Sequence, residues 1–277
     1  MPTNQDGMGD AGLSLAAARG LSGRLVTQAL SEGVETAVHF AGIASQPPAQ
    51  DSEAVVVADP NTVHTAEEAI RVWRDGTTTA IEFSPSCIDS VEFLTVLGSP
   101  SLCVSLDFTA CGIGDEGAIK IGAALKHNTS LHTLNLNGNH IGDAGGSAIG
   151  AALEHNTSLH TLSLDSNKIG AAGGSAIGAA LEHNTSLHTL RLNYNKIDDA
   201  GGSAIGAALE HNTSLHTLNL HDNKIDDAGG STIGAALEHN SSLHTLHLTG
   251  NNIGDAGVRQ VGAPLEHHTP LLTPILD

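Results

Sequence analysis

A unit of 28 residues repeats along this chain, and that repeat limits the possible fold more than any other feature. Steps of 28 from Leu131 land on Leu159, Leu187, Leu215, Leu243 and Leu271. The block at 131–158 recurs at 159–186 with five differences, two more close copies fill 187–214 and 215–242, and a decaying copy runs over 243–270. A looser copy precedes them at 103–130, where Leu106, Phe108, Cys111 and Ile113 hold the places of Leu134, Leu136, Asn139 and Ile141. A period of this length means a stack of supersecondary units, each burying its apolar face against its neighbours.

Within a unit the pattern predicts one strand and one helix. Thr133-Leu134-Asn135-Leu136-Asn137 alternates apolar and polar residues, as a half-buried strand does. Asp143 is the expected N-cap of a helix whose apolar stripe is Ala148, Ile149, Ala152 and Leu153. Asn156 is expected to close that helix in a left-handed conformation. Gly145, Gly146 and Gly150 weaken the helix by about 1 kcal/mol each relative to Ala, so packing must hold it. Small residues also let consecutive helices approach closely. Asn139, Asn167, Asn195, Asn223 and Asn251 form a ladder whose amides are expected to turn inward and satisfy loop backbone groups.

The pattern Leu131-x-x-Leu134-x-Leu136-x-x-Asn139-x-Ile141, followed by Gly145, Ile149 and Leu153, resembles the leucine-rich repeat of the ribonuclease-inhibitor type. Similar repeats form the sensor arrays of nucleotide-binding leucine-rich-repeat receptors and the body of Ran GTPase-activating proteins. The resemblance covers about 103–277. It implies an α/β leucine-rich-repeat solenoid, a horseshoe with a parallel β-sheet on the concave face and helices on the convex face.

Upstream, the register continues at a step of 25: Val56, Ile81 and Leu106 align. Residues 54–102 read either as two degenerate leading repeats or as a separate α/β cap, with a capping box at Thr65-Ala66-Glu67-Glu68 opening a helix through Trp73. Residues 11–53 read as a helical segment ending in a Pro-containing linker, and 1–10 as a disordered tail. At the other end, Pro264 falls inside the last helix and Pro274 takes the place of a strand leucine in a truncated last repeat. That ending fits a degenerate cap, a fragment of a longer protein or an open end that docks a partner.

Composition narrows the function. A formal charge of -19 disfavours nucleic acid and anionic membrane as partners. No apolar run approaches the roughly 20 residues of a membrane span. Three cysteines, Cys87, Cys103 and Cys111, exclude a fully paired disulfide framework. Asp6 and Asp10 stand where a secretory signal would want basic residues, so a cytoplasmic setting is expected. There is no G-x-x-x-x-G-K-[ST], G-x-S-x-G or H-E-x-x-H motif, no cofactor is implied, and the expectation is a non-enzymatic scaffold.

Strand alternation places positions 133, 135 and 137 of each unit on the concave face. The first is always Thr in the five close copies, whereas the next two vary as Asn135/Asn137, Ser163/Asp165, Arg191/Asn193, Asn219/His221 and His247/Thr249. The following loop position varies as Gly138, Ser166, Tyr194, Asp222 and Gly250. Differences between near-identical copies that gather on one face describe either a recognition surface or drift at solvent-exposed sites. Arg191 and Tyr194 are the expected anchors for a protein partner, removable with little loss of stability. The Ran GTPase-activating resemblance adds a small GTPase as a candidate partner, and the receptor resemblance adds a sensor fragment as an alternative role. His132, His160, His188, His216 and His244 form a further ladder, read as a copied framework whose rungs stand about 5 Å apart. Asn128, Asn156, Asn184, Asn212 and Asn240 match the N-glycosylation pattern but read as helix-ending residues.

Overall fold

Each 28-residue unit contributes one short strand and one helix, because three alternating residues suffice for a strand when both neighbours pair with it. The computed structural model describes residues 62–63, 71–72, 80–83, 103–265 and 273–275, all within one compact unit, Val57–Asp277. The described strands are β1 (Thr62–Val63), β2 (Ala80–Phe83), β3 (Ser105–Asp107), β4 (Thr133–Asn135), β5 (Thr161–Ser163), β6 (Thr189–Arg191), β7 (Thr217–Asn219), β8 (Thr245–His247) and β9 (Thr273–Ile275). They form one sheet in sequential order, and every pair is parallel. Leu134, Leu162, Leu190, Leu218 and Leu246 align across it and are buried, while the threonines beside them form a column on the opposite face.

Helices α1 (Gly114–Leu125), α2 (Asp143–Leu153), α3 (Ala171–His183), α4 (Asp199–Leu209), α5 (Asp227–Leu237) and α6 (Asp255–Leu265) pack on the other side, each against the next. The leucines of the strands and Ile149, Ile177, Ile205 and Ile233 of the helices belong to a single continuous core. The glycines are what allow the helices to stack so tightly. A Cβ placed on Gly178 of α3 would lie 2.6 Å from the backbone carbon of Ala204 in α4, and one on Gly150 of α2 would lie 2.8 Å from the backbone of Ala176. Backbone meets backbone along this column, which no larger residue permits.

Two asparagine ladders tie the units together. Asn195 accepts a hydrogen bond from the Ile169 N–H (3.0 Å) and donates to the carbonyls of Leu164 (2.9 Å) and Leu192 (3.0 Å). Asn167 and Asn223 repeat the arrangement. The second ladder departs from expectation. Asn184 ends α3 in an extended conformation (φ −76°), not a left-handed one. Its amide instead donates to the carbonyl of Leu153 (2.7 Å), at the end of the preceding helix, and its oxygen accepts from the N–H groups of Ser186 and Leu187. The side chain closes the helix before its own. Asn128, Asn156, Asn184, Asn212 and Asn240 are all buried, so their glycosylation-like sequence pattern is committed to internal hydrogen bonds.

Asp143 is likewise not the N-cap of its own helix. Gly142 occupies that position without a side-chain bond, and the Asp143 carboxylate reaches into the next unit, accepting from the N–H groups of Gly170 and Gly173 (both 2.8 Å). Asp115, Asp199 and Asp227 do the same for the units that follow them. One unit has Ala171 at this place and cannot cap its successor. There Asp198 replaces the glycine of the earlier units and caps α4 itself, accepting from Ala200 and Gly201.

The expectations for 1–53 lie outside the described residues, as do those for the Thr65-Ala66-Glu67-Glu68 capping box and for Trp73. Within 54–102, Ile81 pairs with Leu106 at the expected step of 25. Further upstream the described pairing has another offset, with Val63 of β1 opposite Phe83, a step of 20, and Val56 lies outside the described residues. Pro264 lies within α6, and Pro274 pairs with Leu246.

Candidate binding surface

The face of the sheet opposite the core carries the positions at which the copies differ. Consecutive strands stand closer together than consecutive helices can, so this face lies on the inside of any curvature of the stack. Asn135 donates to Asp107 (2.9 Å) and accepts from the Asn137 N–H, while Asn137 accepts from the Asp165 N–H (2.9 Å). Ser163, Asn219 and His247 sit half-buried on β5, β7 and β8, and Asn219 accepts from the His221 N–H. These polar side chains therefore brace one another as well as facing solvent.

Asp165 is the most enclosed of them. Its side chain is 7% exposed, yet it accepts from Arg191 Nε (3.0 Å) and from the Asn193 N–H (3.1 Å), and the Asn193 amide nitrogen faces its second oxygen at 3.0 Å. Burial pushes the Asp165 carboxyl above the ordinary carboxylate range, against the opposing pull of Arg191 and of the Asn193 hydrogen bonds. Arg191 is 49% exposed and is also the counter-charge of this buried acid.

Tyr194 belongs to a different class. The loop position after each strand is left-handed in all six described units: Ala110, Gly138, Ser166, Tyr194, Asp222 and Gly250 have φ between 51° and 69°. Two units use glycine, for which this conformation carries no steric penalty, whereas an L side chain pays about 1–2 kcal/mol for it. Tyr194 is 51% exposed and meets the edge of His221 with ring centroids 5.1 Å apart. The His221 ring binds the carbonyl and hydroxyl of Thr249 through Nδ1 and approaches the Asp222 carboxylate at 3.4 Å through Nε2. Tyr194, His221, Asp222 and Thr249 form one polar-aromatic cluster at the carboxyl end of the strands.

Thr249 was not among the expected site residues, and neither was the left-handed backbone of the loop column. The Gly138 and Gly250 positions were the available signal for that column, since a glycine recurring opposite Ser, Tyr and Asp marks positive φ. With its Nδ1 engaged by Thr249, the His221 ring is held as an orienting group. Among the described residues, no cluster of three or more His, Cys, Asp or Glu is arranged to hold a metal ion, and no helix is long and apolar enough to cross a membrane.

The family match agrees with this geometry. The family model described as "Leucine Rich repeat" matches residues 104–122, 127–150, 155–178, 183–206, 211–234 and 239–261. This is a leucine-rich-repeat array. Each matched segment spans the strand of one unit and most of its helix, so the family match and the 28-residue register coincide. No curated protein matches the chain. A solved structure, "Leiomodin-1 Actin-Binding Site 2 (ABS2)", is similar at 23% identity with a TM-score of 0.43, covering 65% of this chain and 90% of that one. In the array Asn135, Asn137, Asp165, Arg191 and Asn193 interlock across the sheet, Tyr194, His221 and Asp222 gather at its loop edge, and Ser163, Asn219 and His247 lie half-buried on their strands.

Proposed function

We propose that this leucine-rich-repeat array is a non-enzymatic scaffold that binds a protein partner across its sheet face, with the loop edge around Tyr194, His221 and Asp222 as the anchor. The observation that carries the reading is the left-handed loop column. Tyr194 occupies a backbone conformation that costs about 1–2 kcal/mol for any residue but glycine, in a chain whose sister units place Gly138 and Gly250 there. Ala110, Ser166 and Asp222 share this conformation, so what sets Tyr194 apart in the column is its large, half-exposed ring. A half-exposed tyrosine held at such a position supports selection for what its ring contacts, and tyrosine is enriched in binding hot spots.

The 28-residue unit with its full helix supports the ribonuclease-inhibitor-like subtype, and the composition supports a cytoplasmic setting. Regulation of a small GTPase and service as a receptor's sensor array are narrower versions of the same role. The test is affinity capture with the full chain and with Tyr194→Gly in parallel. The reading expects a partner retained by the first and lost from the second while thermal stability holds or rises. Equal capture by both would remove the loop edge from the binding surface. Stimulated single-turnover GTP hydrolysis by a captured GTPase would select the regulatory version.

A further inference from the structure

Beside the threonine column runs a column that the binding surface does not use. His132, His160, His188, His216 and His244 stack ring on ring, with centroid separations of 4.8, 5.0, 5.0 and 5.2 Å along the row. The first three contacts are near-parallel stacks and the last is tilted by 50°. In the second and third rungs, His160 and His188, Nδ1 is buried and has no hydrogen-bond partner. A buried nitrogen without an acceptor is better left unprotonated, so the environment assigns the proton of each neutral ring to Nε2.

From this geometry we infer that the imidazole column makes the array acid-labile, acting as a proton-sensitive coupling between neighbouring repeats. A neutral column stacks. A second proton on His160 or His188 places an N–H where no acceptor waits, and protonation of adjacent rungs sets like charges about 5 Å apart. Among the described residues no carboxylate forms an ion pair with the column. Each inner ring is flanked by the rings of the neighbouring strands, the adjoining column is threonine, and the preceding turns contribute Ser130, Ser158, Ser186, Ser214 and Ser242. The charged groups on the helix ends that lead into those turns are Lys126, His127, Glu154, His155, Glu182, His183, Glu210, His211, Glu238 and His239. All are exposed, and none forms an ion pair with the column among the described residues.

Burial, and then the neighbouring imidazoles, hold His132 and His216 below the usual histidine range. With a folded-state value below the unfolded reference of about 6.5, the folded chain binds fewer protons than the unfolded chain in that window. Stability is therefore complete above about pH 6.5 and is lost as pH falls through the folded values. The carboxylates with shifted values do not mimic this effect. Asp165 and Asp226 are raised, so their protonation favours the folded state, and Asp199 and Glu116 are lowered and titrate in stronger acid.

The inference stands apart from what the sheet face binds, and two measurements on the full chain test it. The midpoint of thermal unfolding is expected to fall by roughly 5 °C or more between pH 7.5 and 5.0. That slope should shrink in His160→Gln/His188→Gln, which removes the imidazole neighbours of His132 and His216 but not their burial, and stay unchanged in the exposed control His155→Gln/His183→Gln. Proton NMR titration of the unaltered chain should place the ring protons of His132 and His216 below the reference value. Ring titration at or above about 6.5, or an unchanged slope in the column variant, would overturn the inference. Should that variant fail to fold, the NMR titration decides alone.

Discussion

Gly178→Ala and Gly262→Ala are the same substitution at the same place in two helices of one chain, and they should have opposite signs. Alanine is the better helix former by about 1 kcal/mol, so propensity alone predicts stabilisation in both. At Gly262 of α6 an added Cβ meets nothing within 4 Å, and the full gain should appear. At Gly178 of α3 the same methyl would stand 2.6 Å from the carbonyl carbon of Ala204, 2.7 Å from the N of Ile205 and 2.9 Å from the Ala204 oxygen. Those are backbone atoms of α4 and cannot rotate away. Restoring a 3.4 Å contact means moving the helices apart by about 0.8 Å, which the shared core resists. Overpacking of this kind costs about 1–3 kcal/mol and occasionally more, so after the gain in propensity the net effect should be destabilisation by up to about 2 kcal/mol. At this chain length that corresponds to a fall of up to roughly 8 °C in the unfolding midpoint. Urea and thermal unfolding of both variants beside the parent chain measure it. A Gly178→Ala variant as stable as Gly262→Ala would show that the helices do not meet backbone to backbone, and the account of the glycine-rich units would fail with it.

Three further outcomes follow from particular contacts. Asn195→Ala strands the buried Ile169 N–H and two carbonyls and should cost about 2–4 kcal/mol in chemical denaturation; a loss no larger than that of the exposed Thr185→Ala would deny the ladder its role. Arg191→Ala should cost about 1 kcal/mol at pH 7, modest because the guanidinium is half-exposed. Since the Asp165 carboxyl is already raised, its contribution is present in acid and lost as pH rises; removing Arg191 raises it further, so the penalty should shrink as pH falls towards 4, and a pH-independent penalty would count against the pair. Ser166→Gly relieves a left-handed residue and should raise stability by up to about 1 kcal/mol in thermal unfolding, whereas a loss would mean that the Ser166 side chain contributes a compensating contact.

Periodicity revealed the architecture because a solenoid repeats its physics at the period of its sequence. Leu134, Leu136 and Ile149 announce strand and helix by spacing alone, and the glycine surplus already pointed to close-packed helices. What spacing could not reveal was which unit a side chain serves. Asp143 reads as a cap because an acid at a helix start ordinarily caps that helix, yet Gly142 holds the position and the carboxylate crosses to the next unit. Asn156 reads as a left-handed terminator, yet its column works through side chains that reach back into the preceding helix. In both cases the residue type and the kind of bond were legible, and the partner, one unit away, was not. The same holds for Arg191: its variability suggested an exposed anchor, and only the burial of Asp165 on the neighbouring strand shows what it neutralises.

These cross-unit bonds also explain where the copies are free to differ. Asn139, Asn156, Asp143 and Gly150 each serve an adjacent repeat, so altering one damages two units at once, and the one lapse at Ala171 is met by Asp198 in the following unit. Positions 135, 137 and 138 of each unit bear fewer such obligations, and there the copies diverge. Divergence there is not all of one kind. Asp165 with Arg191 forms a pair of substitutions on adjacent strands that satisfy each other, which structure alone can account for. Tyr194 has no such justification: its backbone conformation opposes it, its ring is half-exposed, and its edge contact with His221 does not need a tyrosine at a position where glycine suffices in two sister units. A residue that folding disfavours and packing does not require is the place where a partner's contribution to selection should be sought first, and that makes Tyr194, more than Arg191, the residue on which the binding reading stands.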